Sequence, residues 1–188
     1  RSDDEAGAVA EAVMAACSAP LSRWNQQAVT GGAAGVQSAP SLLTGEPEYL
    51  DPLKNEAPTG WIVTGYPWYG ITTPEHQAFL KAYQDKYKDH PRLGSVVGYT
   101  AIQSLAAGMR KAGGADTEKL ITAFLGLELT SPFGPIRYRT EDHQSTMGAF
   151  VGKTRNDGGK GVMVNFRYAD GAKFQPSAEE VKKLRAAD

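Results

Sequence analysis

Three aromatic side chains, Tyr66, Trp68 and Tyr69, crowd the loop Gly65-Tyr-Pro-Trp-Tyr-Gly70, directly after the apolar run Trp61-Ile-Val-Thr64. Ligands of open α/β sheets bind at strand ends, and aromatic rings offer apolar faces with polar handles, which suits a ligand cleft. The same cluster also fits packing of a crossover loop onto the body of the protein, and both readings stay open. Residues for bond-making chemistry are not arranged for it. A nucleophile elbow needs Gly-x-Ser-x-Gly between strand and helix, whereas Gly94-Ser-Val-Val-Gly98 puts its serine in the wrong place. Gly31-Gly-Ala-Ala-Gly35 lacks the G-x-G-x-x-G register of dinucleotide sites and the Gly-Lys-Ser/Thr of a phosphate loop. The three histidines, His76, His90 and His143, show no i,i+4 pairing and none is near Cys17 in sequence. Zinc needs three or four converging ligands, so no metal and no cofactor is expected. His143 beside Glu141 and Asp142 reads as solvated surface, and the acidic residues gather at helix starts, where capping explains them. The chain is expected not to be an enzyme.

The elements that would position the aromatic loop alternate in kind. Ser2 to about Ala16 reads as a helix capped by Ser2 and ended by Pro20, with the single cysteine, Cys17, in an alanine-rich run where it fits a small buried residue. Residues 25–60 are loop-rich, with a short strand at 27–30 and a short helix starting at 41–43. Trp61–Thr64 reads as a buried strand of a parallel sheet. Thr73 caps the next helix with Pro74 at its first position, and Phe79, Leu80, Tyr83 and Tyr87 recur at helical spacing. A second helix spans 96–112, with Tyr99, Ile102, Leu105, Ala106 and Met109 as its expected buried face and Gly113-Gly114 as its stop. Asp116 caps a third helix, with Leu120, Ile121, Phe124 and Leu125 facing inward.

The period then changes to two. Ile136–Arg139 alternates, and Ala149–Val151 and Val162–Phe166 flank Arg155-Asn-Asp-Gly-Gly159, a strong hairpin signal. A last helix begins at Ser177, with Glu180 completing a capping box and Val181 and Leu184 inward. Strands interleaved with helices, plus an appended hairpin, make the fold class α/β.

Composition narrows the function classes. The 188 residues are 41% hydrophobic and 22% charged, with net charge −1, ordinary values for a globular chain. Lys and Arg are scattered, which argues against a nucleic-acid partner and an anionic membrane surface. No run approaches the roughly 18 apolar residues of a membrane span. The acidic opening Arg1–Glu5 is not a signal peptide, and upstream sequence is expected to have been removed.

Ser131-Pro-Phe-Gly-Pro-Ile-Arg-Tyr-Arg139, Asp142-His-Gln-Ser-Thr-Met-Gly-Ala-Phe-Val-Gly-Lys153 and Gly98-Tyr-Thr-Ala-Ile-Gln-Ser-Leu-Ala-Ala-Gly-Met-Arg-Lys-Ala-Gly113 resemble the type I periplasmic binding proteins of branched-chain amino acid ABC transporters. The strand at 61–64, its following loop and the helix from Pro74 recur in the order this family shows, and the resemblance covers about residues 40–175. It implies two α/β lobes joined by three crossovers, of which this chain is the C-terminal half: 1–65 in lobe two, 66–147 in lobe one, and 148–188 as a return hairpin and helix in lobe two. It also implies particular site residues. Relatives that bind amino acids place a Glu just before the Gly that opens the strand at Trp61; Thr59 stands there, and a neutral hydroxyl cannot supply a charge-assisted bond to an ammonium. The loop before the first helix, here Arg1 and Ser2, faces the cleft in the family, and an Arg there could grip a carboxylate. Tyr99 matches a Tyr common in the family's helix, and Val96 and Val97 stand where cleft-lining side chains occur. With Tyr66, Trp68 and Tyr69 these form the expected site.

The function implied is the solute-binding component of an ABC-type uptake transporter. It would be periplasmic, hold a small amino-acid-like or carboxylated solute by hinge closure, and hand it to a membrane permease. A ligand-sensing receptor of the same fold, an α/β hydrolase and a truncated, non-binding relic are the alternatives.

Overall fold

The computed structural model describes residues 40–184, which fall into two compact units. The first joins residues 40–67 to 149–169. Its four-stranded sheet has the order β1-β2-β5-β6, with β1 Pro40–Gly45, β2 Ile62–Gly65, β5 Ala149–Asn156 and β6 Gly161–Ala169. β1 and β2 are parallel, so a crossover must join them; it is the short helix α1, Pro47–Leu53, followed by a 3₁₀ turn at Lys54–Glu56. β5 pairs antiparallel with both β2 and β6.

The expected strand at 61–64 is present as β2, and the Asn-Asp-Gly-Gly turn closes the β5–β6 hairpin, where Gly158 and Gly159 take φ of 59° and 89°. The helix expected from 41–43 is instead strand β1, and the helix begins only at Pro47. Pairing with β2 decides the matter: Pro40 lies opposite Ile62 and Ser41 opposite Val63, and the Leu43 N–H donates to Thr64 Oγ1 at 3.1 Å. Val63, Met163, Leu50, Phe150 and Val151 form the core. The buried Thr154 hydroxyl accepts the Trp61 N–H at 3.1 Å.

The second unit joins residues 68–148 to 170–184. It holds α2 Pro74–Tyr87, α3 Leu93–Ala112, α4 Thr117–Phe124, the two-stranded ribbon β3 Glu128–Ser131 and β4 Gly134–Arg137, a 3₁₀ turn at Gly171–Lys173, and α5 Ala178–Leu184. Pro74 opens α2, although the Thr73 hydroxyl makes no capping bond. Asp116 does cap α4, accepting the Lys119 N–H at 3.0 Å. The capping box forms as expected: Glu180 Oε2 accepts the Ser177 N–H at 2.8 Å, and Ser177 Oγ accepts the Glu180 N–H at 3.3 Å. β3 was not expected as a strand. Its four residues include Glu, Thr and Ser and alternate only weakly, and it is fixed by pairing with β4 across the turn at Pro132–Phe133.

α3 corrects the sequence reading most. It begins at Leu93 and buries Val96, Thr100, Ser104 and Gly108. Tyr99, Ile102, Leu105 and Met109, expected inside, are 46%, 67%, 43% and 38% exposed. In α4, Ile121 is likewise 47% exposed, and Leu125 at its C-cap is 37% exposed. The small buried face has a packing cause. A Cβ on Gly108 would lie 2.6 Å from the Phe124 ring, so only glycine lets the two helices approach this closely. The expected helix at 2–16 and strand at 27–30 lie outside the described residues.

Candidate functional site

β1 and β2 run parallel, so their carboxyl ends, Gly45 and Gly65, share one edge of the sheet. The chain packs there without side chains: a Cβ on Gly65 would meet the Gly45 carbonyl oxygen at 2.3 Å. The next residues, Glu46 and Tyr66, are 4% and 0% exposed. β5 starts at the same edge, bringing Phe150 opposite Gly65 and next to Tyr168, with ring centroids 5.3 Å apart. This edge therefore combines a buried carboxyl group with aromatic walls.

Glu46 is the anomaly of the unit. Its carboxylate accepts a hydrogen bond from the Tyr66 backbone N–H, yet Oε2 has no hydrogen-bond partner among the described residues. Burial, helped by the nearby Glu48 charge and opposed by that hydrogen bond, pushes the Glu46 carboxyl up to about 8. A buried carboxylate with no counter-charge is costly. Such groups concentrate where a ligand completes their bonding. Chemically, the group can do two things. Ionised, it takes a cation such as an ammonium; protonated, it donates to an acceptor oxygen. Sequence reasoning missed Glu46 because it placed a helix at 41–43, which hid the strand end. The available signal was Gly45-Glu46-Pro47, a carboxylate between a strand and a proline suited to the first position of a helix.

The expected site residues that are described fall in both units. Tyr66 is fully buried at the β2 end, beside Glu46. Trp68 and Tyr69 belong to the second unit, where they meet edge to face at 5.6 Å. Trp68 also stacks flat on His90, 4.7 Å between centroids and 13° between planes, so packing accounts for one face of this ring. Tyr99 stands on α3, tilted against Phe79 at 5.1 Å, and Val96 of the same helix is wholly buried. Thr59 precedes β2, at the opposite end of that strand from Glu46, and its hydroxyl accepts the Asn156 N–H at 3.1 Å. Arg1 lies outside the described residues.

Depressions lined by described residues of the second unit include the following. A groove of about 520 Å³ is walled by Phe79, Tyr83, Tyr87 and Tyr99. A recess of about 880 Å³ is lined by Arg137, Arg139, Glu141, Asp170 and Gln175, among others. Arg139 already faces Asp142 at 3.4 Å and Glu141 at 3.8 Å, so its charge is answered internally. No group of three His, Cys, Asp or Glu side chains suited to a metal occurs among the described residues, and no helix there is long and apolar enough to cross a membrane.

Comparison with known proteins bears on these features together. A family model described as periplasmic binding protein matches residues 5–160. Among solved structures, a leucine-, isoleucine-, valine-, threonine- and alanine-binding protein from Brucella ovis in a closed conformation is 16% identical, with a TM-score of 0.63 over 82% of this chain and 41% of its own. A solute-binding protein of an ABC transporter from Rhodopseudomonas palustris BisB5, in complex with 3,4-dihydroxybenzoic acid, is 23% identical, with a TM-score of 0.57 over 79% of this chain and 41% of its own. An ABC-type branched-chain amino acid transporter protein from Rhodopseudomonas palustris CGA009 is 24% identical, with a TM-score of 0.55 over 70% of this chain and 35% of its own. The chain thus spans well under half the length of these structures. No curated protein matches it.

Proposed function

The chain belongs to the periplasmic binding protein family, with the mixed α/β fold of its type I members, and we propose that it acts as the substrate-binding component of an ABC-type uptake transporter. In this reading the two compact units are parts of two lobes, a small solute favours their closure, and the closed form delivers it to a membrane permease outside the cytoplasm. The observation that carries the solute reading is Glu46: a buried carboxyl group with an open Oε2 at the carboxyl edge of parallel strands. Such an edge is where open α/β sheets take ligands. We assign the solute to the amino-acid-like class, its ammonium taking up the open oxygen of Glu46 by a charge-assisted bond. Thr59 then needs no charge, because the carboxylate comes from another strand end.

A second reading has its own support. With its carboxyl pushed up to about 8, Glu46 is largely protonated at neutral pH and able to donate to the carboxylate of an aliphatic or aromatic acid. Thermal-shift screening of the protein as its gene encodes it, with matched pairs, separates the two. Leucine against 4-methylpentanoate and phenylalanine against 3-phenylpropanoate differ mainly in the ammonium. A ligand of the native state raises the melting temperature by mass action. The proposal expects a shift for at least one amino acid and none for its partner acid; a shift only for the acids supports the second reading. No shift across a broad panel of amino acids, acids and amides would sink both.

A further inference from the structure

The turn of the β5–β6 hairpin holds an Asp-Gly pair, Asp157-Gly158, and the chain carries another at Asp170-Gly171. In such a pair the glycine amide nitrogen lies next to the aspartate side chain, and glycine has no Cβ to shield it. Ring closure between them needs an uncommitted N–H, a carboxyl group not held by other donors, and room for the peptide to rotate.

Asp157 and Gly158 meet all of these conditions. The loop is a type I′ turn, with φ of 59° at Gly158 and 89° at Gly159. The Asp157 N–H donates to the Lys160 carbonyl at 2.8 Å, and the Lys160 N–H to the Asp157 carbonyl at 3.2 Å. Gly159 N–H donates to Asn156 Oδ1 at 3.0 Å, whereas Gly158 N–H makes no hydrogen bond among the described residues. A Cβ on Gly158 would meet nothing within 4 Å, so the peptide has space to turn. The Asp157 carboxylate faces Arg155 at 3.4 Å, but these side chains are 64% and 52% exposed, where such a pair holds weakly.

Asp170-Gly171 is placed differently. Asp170 Oδ1 accepts the Ala172 N–H at 3.1 Å, and a Cβ on Gly171 would lie 2.7 Å from the Thr146 carbonyl oxygen, so both carboxylate and peptide are held. Asn156 is held as well: its Nδ2 donates to the Lys54 carbonyl at 2.9 Å, and its N–H to Thr59 Oγ1 at 3.1 Å.

We propose that Asp157-Gly158 is a site of spontaneous isoaspartate formation, and that conversion there loosens the hairpin tip from residues 54–59. The Gly158 nitrogen, its proton passing to water, bonds to Cγ of the protonated Asp157 carboxyl. The Cγ–O bond breaks and water leaves, giving a cyclic succinimide. Water then adds at the ring's α-carbonyl carbon, the bond from that carbon to nitrogen breaks, and the nitrogen recovers a proton. The backbone now runs through Cγ, and the former α-carbonyl is a free carboxylate. Water is the only co-reactant, and mass and net charge end unchanged. The carbonyl that accepted the Lys160 N–H has left the main chain and the turn is longer by a methylene, so the closing pair loses its register. Asn156, directly before it, then loses its fixed place against Lys54 and Thr59. Thr59 stands at the opposite end of β2 from Glu46, so this inference does not depend on the solute reading.

The test holds the protein as its gene encodes it at neutral pH and body temperature for several weeks, folded in one sample and unfolded in guanidinium chloride in another. Peptides covering both pairs are analysed by electron-transfer fragmentation, which separates isoaspartyl from aspartyl linkages of equal mass. In the folded protein isoaspartate is expected at 157 roughly tenfold faster than at 170, and at similar rates in the unfolded one. Amide exchange at Asn156 should quicken roughly threefold or more in the converted fraction. Asp157→Asn, which loses ammonia more readily than aspartate loses water, is expected to reach the same isoaspartate faster, and Asp157→Glu to form none. No conversion at 157, or equal rates at 157 and 170 in the folded protein, would overturn the assignment. Asp157→Asn converting no faster would overturn the succinimide route, and unchanged exchange at Asn156 the loosening.

Discussion

Replacing Glu46 by glutamine isolates the buried carboxyl group from everything else at the strand edge. The carboxamide keeps the shape and still accepts the Tyr66 N–H, but it cannot ionise. In the unfolded chain the carboxyl titrates near 4.5, and in the folded protein near 8. Between those values the folded state holds a proton that the unfolded state has lost. Stability from this group is therefore fully present below about 4.5 and is lost as pH rises through 8. At about 1.4 kcal/mol for each tenfold change in acid strength, the full loss is on the order of 5 kcal/mol, an upper figure for a group that is 4% exposed. The assay is urea unfolding followed by circular dichroism at intervals from pH 5 to 9, in the wild type and in Glu46→Gln. The variant is expected to match the wild type near pH 5 and to be several kcal/mol more stable at pH 8.5. A stability difference that stays constant across this range would refute the reasoning, because it would mean that Glu46 titrates alike in the folded and unfolded states.

Three further outcomes follow from the packing. Gly65→Ala sets a Cβ 2.3 Å from the Gly45 carbonyl oxygen, where only backbone can give way; a loss of about 3 kcal/mol or more by urea unfolding is expected. Gly108→Ala pushes a methyl to 2.6 Å from the Phe124 ring, and about 1–3 kcal/mol should be lost, with Phe124→Leu in the same chain restoring part of it. Ser177→Ala removes the capping box of α5 and should speed hydrogen exchange of the Val181 amide roughly three- to tenfold, with little change at Val63.

How much of this was legible depended on whether local pattern and tertiary demand agreed. β2, the β5–β6 hairpin and the capped starts of α4 and α5 were readable, because apolar run, turn residues and caps point the same way at Trp61–Thr64, Asn156–Gly159, Asp116 and Ser177. β1 was not, since Ser41-Leu-Leu-Thr44 has no alternation and becomes a strand only by pairing with β2. The apolar stripe of α3 was found but assigned inward. Helical period shows which residues share a face, not which of two faces this chain covers. Tyr66 stands directly after β2, where the apolar run put it, whereas the buried Glu46 was hidden by the misread strand. Nothing local in Gly45-Glu46-Pro47 announces that the carboxylate is buried, because its burial comes from β2 and Tyr66, some twenty residues on.

The most direct test of the account is the affinity for an amino acid between pH 6 and 8.5, measured by titration calorimetry in the wild type and in Glu46→Gln. Binding an ammonium at Glu46 requires the carboxyl to give up its proton. The wild-type affinity should therefore rise almost tenfold per pH unit toward 8 and then level, while the variant binds weakly with no such rise. A wild-type affinity that stays flat with pH, or that Glu46→Gln leaves unchanged, would contradict the assignment of Glu46 to the solute site.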